Sequence, residues 1–214
     1  MIDKNHHTHY KEFLSPVECA KLSILAINDE RRVMEIDNPY RDWTVYTGLT
    51  GQHMVYNWLS HPKVESLNIP QRLFELPDFA DTTRIAIQCW MNILRQEERL
   101  APHRHGEPED SPSYAINIFL SGNTTTGTRY EDTGYIHNEI GEIHICSNLM
   151  EHSVPSQLFP EPRISMAMDV WIDDESIEEI YNSGQRFPNS DVRVIEFRKN
   201  NDSIEIQKST KVFK

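Results

Sequence analysis

Two histidines one residue apart, His103 and His105, open the stretch HRHGEPED, and Glu107, Glu109 and Asp110 follow within five residues. In an extended segment residues i and i+2 share a face, so two imidazoles reach one ion from the end of one strand. That is half of a coordination sphere. A distant histidine is needed to complete it, and an acid or a third imidazole decides the chemistry. The second half is offered by GEIHICSNLMEHSVPS: Gly141 turns the chain, residues 142–146 alternate as a strand, and His152 arrives after a short polar connection. Eleven residues later RISMAMDVW begins another strand, with Arg163 and Ser165 on one face.

The other histidines carry less. His6, His7 and His9 crowd an N-terminal arm that is able to bind a stray metal, yet the expectation is a frayed terminus. His53 and His61 lie in loop-like sequence without partner spacing, and His137 falls in a turn. His144 alternates with Ile143 and Ile145, which predicts the opposite strand face and a hydrogen-bonded role rather than ligation.

Elements must position these groups. In FLSPVECAKLSILAI, Ser15 caps, Pro16 fits the first helical position and Glu18 closes a capping box, so a helix starts at 15 or 16. Val17, Ala20, Ile24 and Ile27 form a stripe expected to cover a sheet, with Phe13 and Leu14 available to staple the entry. Residues 37–77 are broken by prolines and glycines, which predicts short strands and loops with room for a short helix. Strand-like runs then follow: Thr83 to Leu94, Ser113 to Leu120, Thr128 to Tyr130, Glu142 to Cys146 and Arg163 to Ile172. Gln88, Trp90 and Asn92 alternate onto one face, as pocket lining or as packing. An acidic helical segment, DDESIEEIYN, ends before Gly184, and DVRVIEFRKNNDSIEIQ reads as a hairpin with Asn200, Asn201 and Asp202 at its tip. This order describes an α+β, mainly β chain with a sandwich or barrel core. We expect a single domain of 1–214, with a helix and loops in 1–80, a barrel core at about 81–173, and a helix and hairpin in 174–214.

The 214 residues carry a net charge of −12, which argues against a nucleic-acid backbone as partner. No run approaches the length of a membrane helix, and MIDKNHHTHY lacks the apolar core of a signal peptide, so the expected location is cytoplasmic. Cys19, Cys89 and Cys146 are widely spaced among apolar neighbours and read as reduced core thiols.

The order H-x-H, Gly-led strand, distal His and R-x-S resembles the 2-oxoglutarate/Fe(II)-dependent oxygenases, which fold as a double-stranded β-helix, a cupin-like jelly roll. The likeness runs from CWMNILRQEERLAPHRHG through SYAINIFLSGN and NEIGEIHICSNLMEHSVPS to RISMAMDVW, somewhat more than the middle third. FLSPVECAKL also resembles the N-terminal helix of the prolyl-hydroxylase-like branch. The H-x-H-G, N-x-F-L-x-G-N and R-x-S-M-A-M-D strings resemble oxygenase-like proteins common in phage genomes.

The resemblance implies Fe(II) and 2-oxoglutarate as cofactors and hydroxylation of an unidentified small-molecule or peptide substrate, while charge and hydropathy give the expectation of no nucleic acid and no membrane as partner. It implies His103 and His152 as iron ligands and Arg163, with Ser165 beside it, as the anchor of the keto acid's far carboxylate. Asn117 is a further pocket contact. One position departs from the family: His105 stands where an Asp or Glu is usual. Either His105 is the third ligand, or Glu107 serves with His105 as the first histidine, or water or substrate fills the place. The phase of LAPHRH favours His103, His105 and His152. Two other readings remain: a cupin-type dioxygenase or isomerase without 2-oxoglutarate, with Glu109 as a fourth ligand, and a non-catalytic β-sandwich.

Overall fold

A computed structural model describes residues 3–38, 48–53, 55–105, 112–172, 177–178, 194–200 and 203–207. Among the described residues, eleven strands form two antiparallel sheets. They are β1 (His7–Tyr10), β2 (Arg84–Leu94), β3 (Leu100–His103), β4 (Tyr114–Ser121), β5 (Gly127–Tyr130), β6 (Gly134–His137), β7 (Ile143–Ser147), β8 (His152–Val154), β9 (Arg163–Trp171), β10 (Ile195–Asn200) and β11 (Ser203–Gln207). The larger sheet runs β1-β7-β4-β9-β2-β10-β11 and the smaller β3-β8-β5-β6. This is the mainly β, two-sheet jelly roll that the sequence predicts.

The larger sheet has two chemically different faces. Residues directly opposite in an antiparallel ladder point the same way, and the register aligns Trp90 with Ala167, Ala167 with Asn117, and Asn117 with His144. One face therefore carries Gln88, Trp90, Asn92, Asn117, His144, Arg163, Ser165 and Asp169. The other carries Ile85, Ile87, Met91, Ile116, Ile118, Ile143, Ile145, Met166 and Met168, all buried in one cluster with the N-terminal helix. The polar face is the one available for chemistry.

That helix, α1 (Pro16–Met34), starts as its sequence predicts. The Glu18 N–H donates to Ser15 Oγ and the Ser15 N–H donates to Glu18 Oε2, a complete capping box. Its buried stripe is Cys19, Leu22, Ser23 and Ala26, whereas Val17, Ile24 and Ile27 are exposed, so the predicted stripe is wrong. The helix entry decides the phase. Phe13 and Leu14 are buried, the Leu14 N–H donates to Gly141 O at 3.1 Å, and Gly141 lies so close that a β-carbon on it would meet Leu14 O at 2.0 Å. With φ of +81°, Gly141 also makes the turn expected of it. Ser23 costs little on the buried side because its hydroxyl donates to Cys19 O.

Further corrections concern the segments around the core. The N-terminal arm is not frayed: β1 pairs antiparallel with β7, and Asp78 accepts from Thr8 Oγ1 and Tyr10 Oη and pairs with His6 Nε2. Between 48 and 79 the described residues hold no strand. They form short helices, α2 (Pro62–Glu65) and α3 (Ile69–Phe74), and 3-10 turns, because Pro62, Pro70 and Pro77 sit at first-turn positions rather than breaking anything. His137 ends β6 instead of lying in a turn. The predicted hairpin forms, and β10 joins β2 at the sheet edge. Its tip residues Asn201 and Asp202, and most of the predicted acidic helix, lie outside the described residues. The three cysteines are free and buried, as expected. No described helix is long and apolar enough to cross a membrane.

Arg72 ties α3 to the start of α1 by pairing with Glu18 and donating to Phe13 O. The Arg72 guanidinium, helped by the Ser15 donors, holds the Glu18 carboxyl down at about 2 against the pull of burial. A depressed carboxyl stabilises the fold above its unfolded value and loses that contribution as pH falls through the folded one. Glu18→Gln is expected to lower the unfolding free energy at neutral pH by about 1–2 kcal/mol. In urea melts the gap from the unchanged protein narrows below about pH 4.5 and closes near pH 2.

Candidate metal centre

His103 ends β3 directly opposite His152, the first residue of β8. Between Leu100 and His103 the pairing slips, and beyond β3 the His105 N–H donates to Asn148 O at 3.0 Å. These two local events bring the imidazoles of an H-x-H and a distal histidine to one point. The ring centroids lie 4.4 Å (His103 to His152), 5.0 Å (His105 to His152) and 5.3 Å (His103 to His105) apart. One ring nitrogen from each residue falls within 4.8 Å of the others.

The rings are oriented from behind. His103 Nδ1 lies 2.8 Å from Ala101 O, His152 Nδ1 lies 3.1 Å from Met150 O, and His105 Nδ1 lies against Asp169 Oδ1. Each Nδ1 therefore has an acceptor, which fixes a tautomer with the lone pair on Nε2. His105 Nε2 and His152 Nε2 then face each other at 3.2 Å. Two lone pairs in that position repel unless a proton or a cation lies between them. Protons are disfavoured at two of the three rings: burial and the neighbouring imidazoles push His103 down to about 4 and His152 well below the ordinary histidine range. The donor set fits a divalent first-row metal.

Trp90 stacks on His105 with ring centroids 5.9 Å apart and tilts against His53. Gln88 Nε2 donates to His53 O, and Asn92 bridges Thr50 Oγ1 and Ser165 Oγ. The Gln88, Trp90 and Asn92 face thus serves both packing and the wall of the site.

Arg163 begins β9 and is 1 % exposed. Its Nη1 donates to Ser165 Oγ, its Nη2 to Thr128 Oγ1 and, at 3.4 Å, to Asn138 Oδ1, and the guanidinium lies over the Phe119 ring. Nε has no partner among the described residues. Among the described residues no carboxylate pairs with this cation, and burial pulls it down to about 10. Gly122, with φ of +121°, lets the end of β4 approach, since a β-carbon there would come within 3.0 Å of Arg163 Cα. A buried charge with neutral partners only is costly to hold.

The structure brings His103, His105 and His152 together, and it places Arg163, Ser165 and Asn117 on the inward face of the larger sheet. Asn117 stands between His144 and Ala167. Glu107 and Glu109, the alternative ligands, lie outside the described residues. Sequence reasoning missed Asp169, Thr128 and Asn138. Asp169 was within reach, being the next polar member of the alternating Arg163, Ser165, Ala167 series. Thr128 and Asn138 carry no sequence signal, because they come from β5 and the residue after β6, in the other sheet, and meet Arg163 only in the fold.

No protein-family profile and no curated protein sequence matches the chain. Solved structures do resemble it. A Pseudomonas putida prolyl-4-hydroxylase aligns over 79% of this chain and 94% of its own at 10% identity and a TM-score of 0.57. EctD from S. alaskensis, solved with 2-oxoglutarate and 5-hydroxyectoine, aligns over 81% and 74% at 14% identity and a TM-score of 0.58. The epimerase SnoN, in complex with Fe3+, alpha ketoglutarate and nogalamycin RO, aligns over 79% and 80% at 12% identity and a TM-score of 0.54. With the sheet order and the strand-end histidines, these likenesses identify the fold as the double-stranded β-helix of the 2-oxoglutarate/Fe(II)-dependent oxygenases.

Proposed function

We propose that this protein is an Fe(II)- and 2-oxoglutarate-dependent oxygenase that hydroxylates a small-molecule or peptide substrate. His103, His105 and His152 hold the iron, Arg163 and Ser165 receive the far carboxylate of the keto acid, and Asn117 adds a polar contact to the pocket. The observation that carries the reading is Arg163, a buried guanidinium with, among the described residues, an unpartnered N–H and no carboxylate beside it. A metal-binding protein that used no anionic ligand would have little reason to keep it. A dicarboxylic keto acid supplies the missing charge and accepts the free donor in one step.

Iron, when bound, supplies activation of dioxygen, with the keto acid as the source of two electrons. The chain supplies the rest. His103 and His152 are kept unprotonated by burial, so donor nitrogens are ready at neutral pH. Asp169 holds His105 in the donor tautomer and contributes, through that hydrogen bond, the negative charge that a carboxylate ligand would otherwise bring. Trp90 covers one side of His105 and excludes water there.

Removing one of three ligands leaves too few to compete with water. His103→Ala and His152→Ala are expected to abolish stoichiometric Fe(II) binding under anaerobic titration, with folding checked by circular dichroism. His105→Asp keeps the metal, and Glu107→Gln changes little. Loss of binding in Glu107→Gln with retention in His103→Ala transfers the site to His105, Glu107 and His152.

Arg163→Met separates the keto-acid role from a structural one. It should weaken 2-oxoglutarate binding to the Fe(II)-loaded protein by roughly 10- to 100-fold, the equivalent of about 1.5–3 kcal/mol for a charge-assisted contact. Without ligand it should unfold at equal or higher urea concentration than the unchanged protein, because an uncompensated buried charge is removed. Unaltered 2-oxoglutarate affinity, or no 2-oxoglutarate-dependent succinate release with any candidate substrate together with absent keto-acid binding, contradicts the assignment.

A further inference from the structure

A second group of metal-donor side chains stands apart from the triad, at the edge of the larger sheet. β1 lies beside β7 with His9 directly opposite His144, and Glu142 precedes His144 by two residues. All three side chains therefore leave the sheet on one face. His9 Nδ1 is 2.7 Å from Glu142 Oε1, and His144 Nε2 is 3.2 Å from Glu142 Oε2. One donor atom from each lies within 4.8 Å of the other two. Glu142 and His144 are buried, whereas the His9 side chain is 52% exposed, so the cluster has a buried floor and a solvent side.

We propose that His9, Glu142 and His144 form a second metal site, taking a divalent cation of the zinc class with a fourth position left to water. The donor set is two imidazoles and one carboxylate, suited to that ion. Bond lengths of about 2.0–2.2 Å around a tetrahedral centre put donors about 3.3–3.6 Å apart. The observed separations of 2.7 and 3.2 Å need to open by roughly 0.6–0.9 Å and 0.1–0.4 Å respectively to admit the ion. His144 is also held as a ligand should be: its Nδ1 lies 3.2 Å from His7 Nε2, and His7 Nδ1 reaches Thr133 Oγ1 at 3.3 Å. His7 in turn packs on Tyr130, ring centroids 4.2 Å apart.

An internal ion pair is the competing explanation of the same residues; it needs only one imidazole beside Glu142, whereas two converge on that carboxylate and His144 is in addition held from behind by His7. The site would clasp β1, an edge strand, to β7, acting on the opposite face from the Asp78 contacts to His6, Thr8 and Tyr10.

This site does not depend on the oxygenase reading, and Zn(II) alone serves as the probe. Untagged full-length protein, stripped of metal, should bind two equivalents by calorimetry. His9→Ala, a half-exposed position, and Glu142→Gln should each bind one. His103→Ala/His105→Ala should also bind one and should still gain thermal stability on Zn(II) addition, a gain that His9→Ala removes from that background. Co(II) in the His103→Ala/His105→Ala protein should show the intense ligand-field bands of a tetrahedral site. A single equivalent in the unchanged protein that disappears in His103→Ala/His105→Ala and survives in His9→Ala overturns the proposal. So does thermal stabilisation by Zn(II) that is equal with and without His9.

Discussion

A β-strand sends every second side chain to the same face, and this period governs where chemistry is located in the protein. Along β9 it sends Arg163, Ser165 and Asp169 inward and Ile164, Met166 and Met168 toward the helices. Because β9 is hydrogen-bonded to both β2 and β4, its phase is imposed on Gln88, Trp90 and Asn92 on one side and on Asn117 on the other. The same phase passes through β7 to His144 and on to β1. A slip of one residue in β9 would bury its arginine against isoleucines and turn its methionines into the polar space. The apolar face, packed on α1, is what makes such a slip too costly to occur.

Given that frame, the two ends of β9 have different electrostatic tasks. Arg163, at the start, is a buried cation held by hydroxyls and an amide. Asp169, six residues on, is paired with His105. Three strand intervals along one face separate a place where negative charge is missing from a place where it is supplied. In the proposed reading, the far carboxylate of the keto acid answers the first place and the metal held by His105 lies beside the second. The scaffold fixes both ends through a single continuous strand, so their separation does not depend on loop conformation.

Much of this was legible in the sequence because the relevant signals are local. Ser15, Pro16 and Glu18 specify a helix start within four residues, and the capping box forms as read. Arg163 and Ser165 share a face by counting alone. The side of α1 that is buried was not legible: Val17, Ile24 and Ile27 are as apolar as Leu22 and Ala26, and the choice is made by Gly141, distant in sequence, accepting the Leu14 N–H. The N-terminal strand was hidden for a related reason. His-Thr-His-Tyr has no apolar alternation of its own, and its order comes from pairing with β7 and from Asp78, contacts made far along the chain. Period and capping can be read from neighbours; phase and partner cannot.

The same distinction explains His105. Against the family that the sequence resembles, its position marks a departure, a neutral ring where a carboxylate is usual, and a metal held as proposed would by that count be more positive by one unit. In the fold the carboxylate is present, moved back by the width of an imidazole: Asp169 rises from β9 to Nδ1 while Nε2 points at His152. In the proposed site, charge would therefore reach the centre through a hydrogen bond instead of a coordinate bond, without occupying a coordination position. Trp90 stacks on the same His105 ring. On the proposed assignment, a histidine in this place keeps the electrostatic balance of a carboxylate site only because alternation along β9 lands on Asp169, so the two residues are intelligible only as a pair.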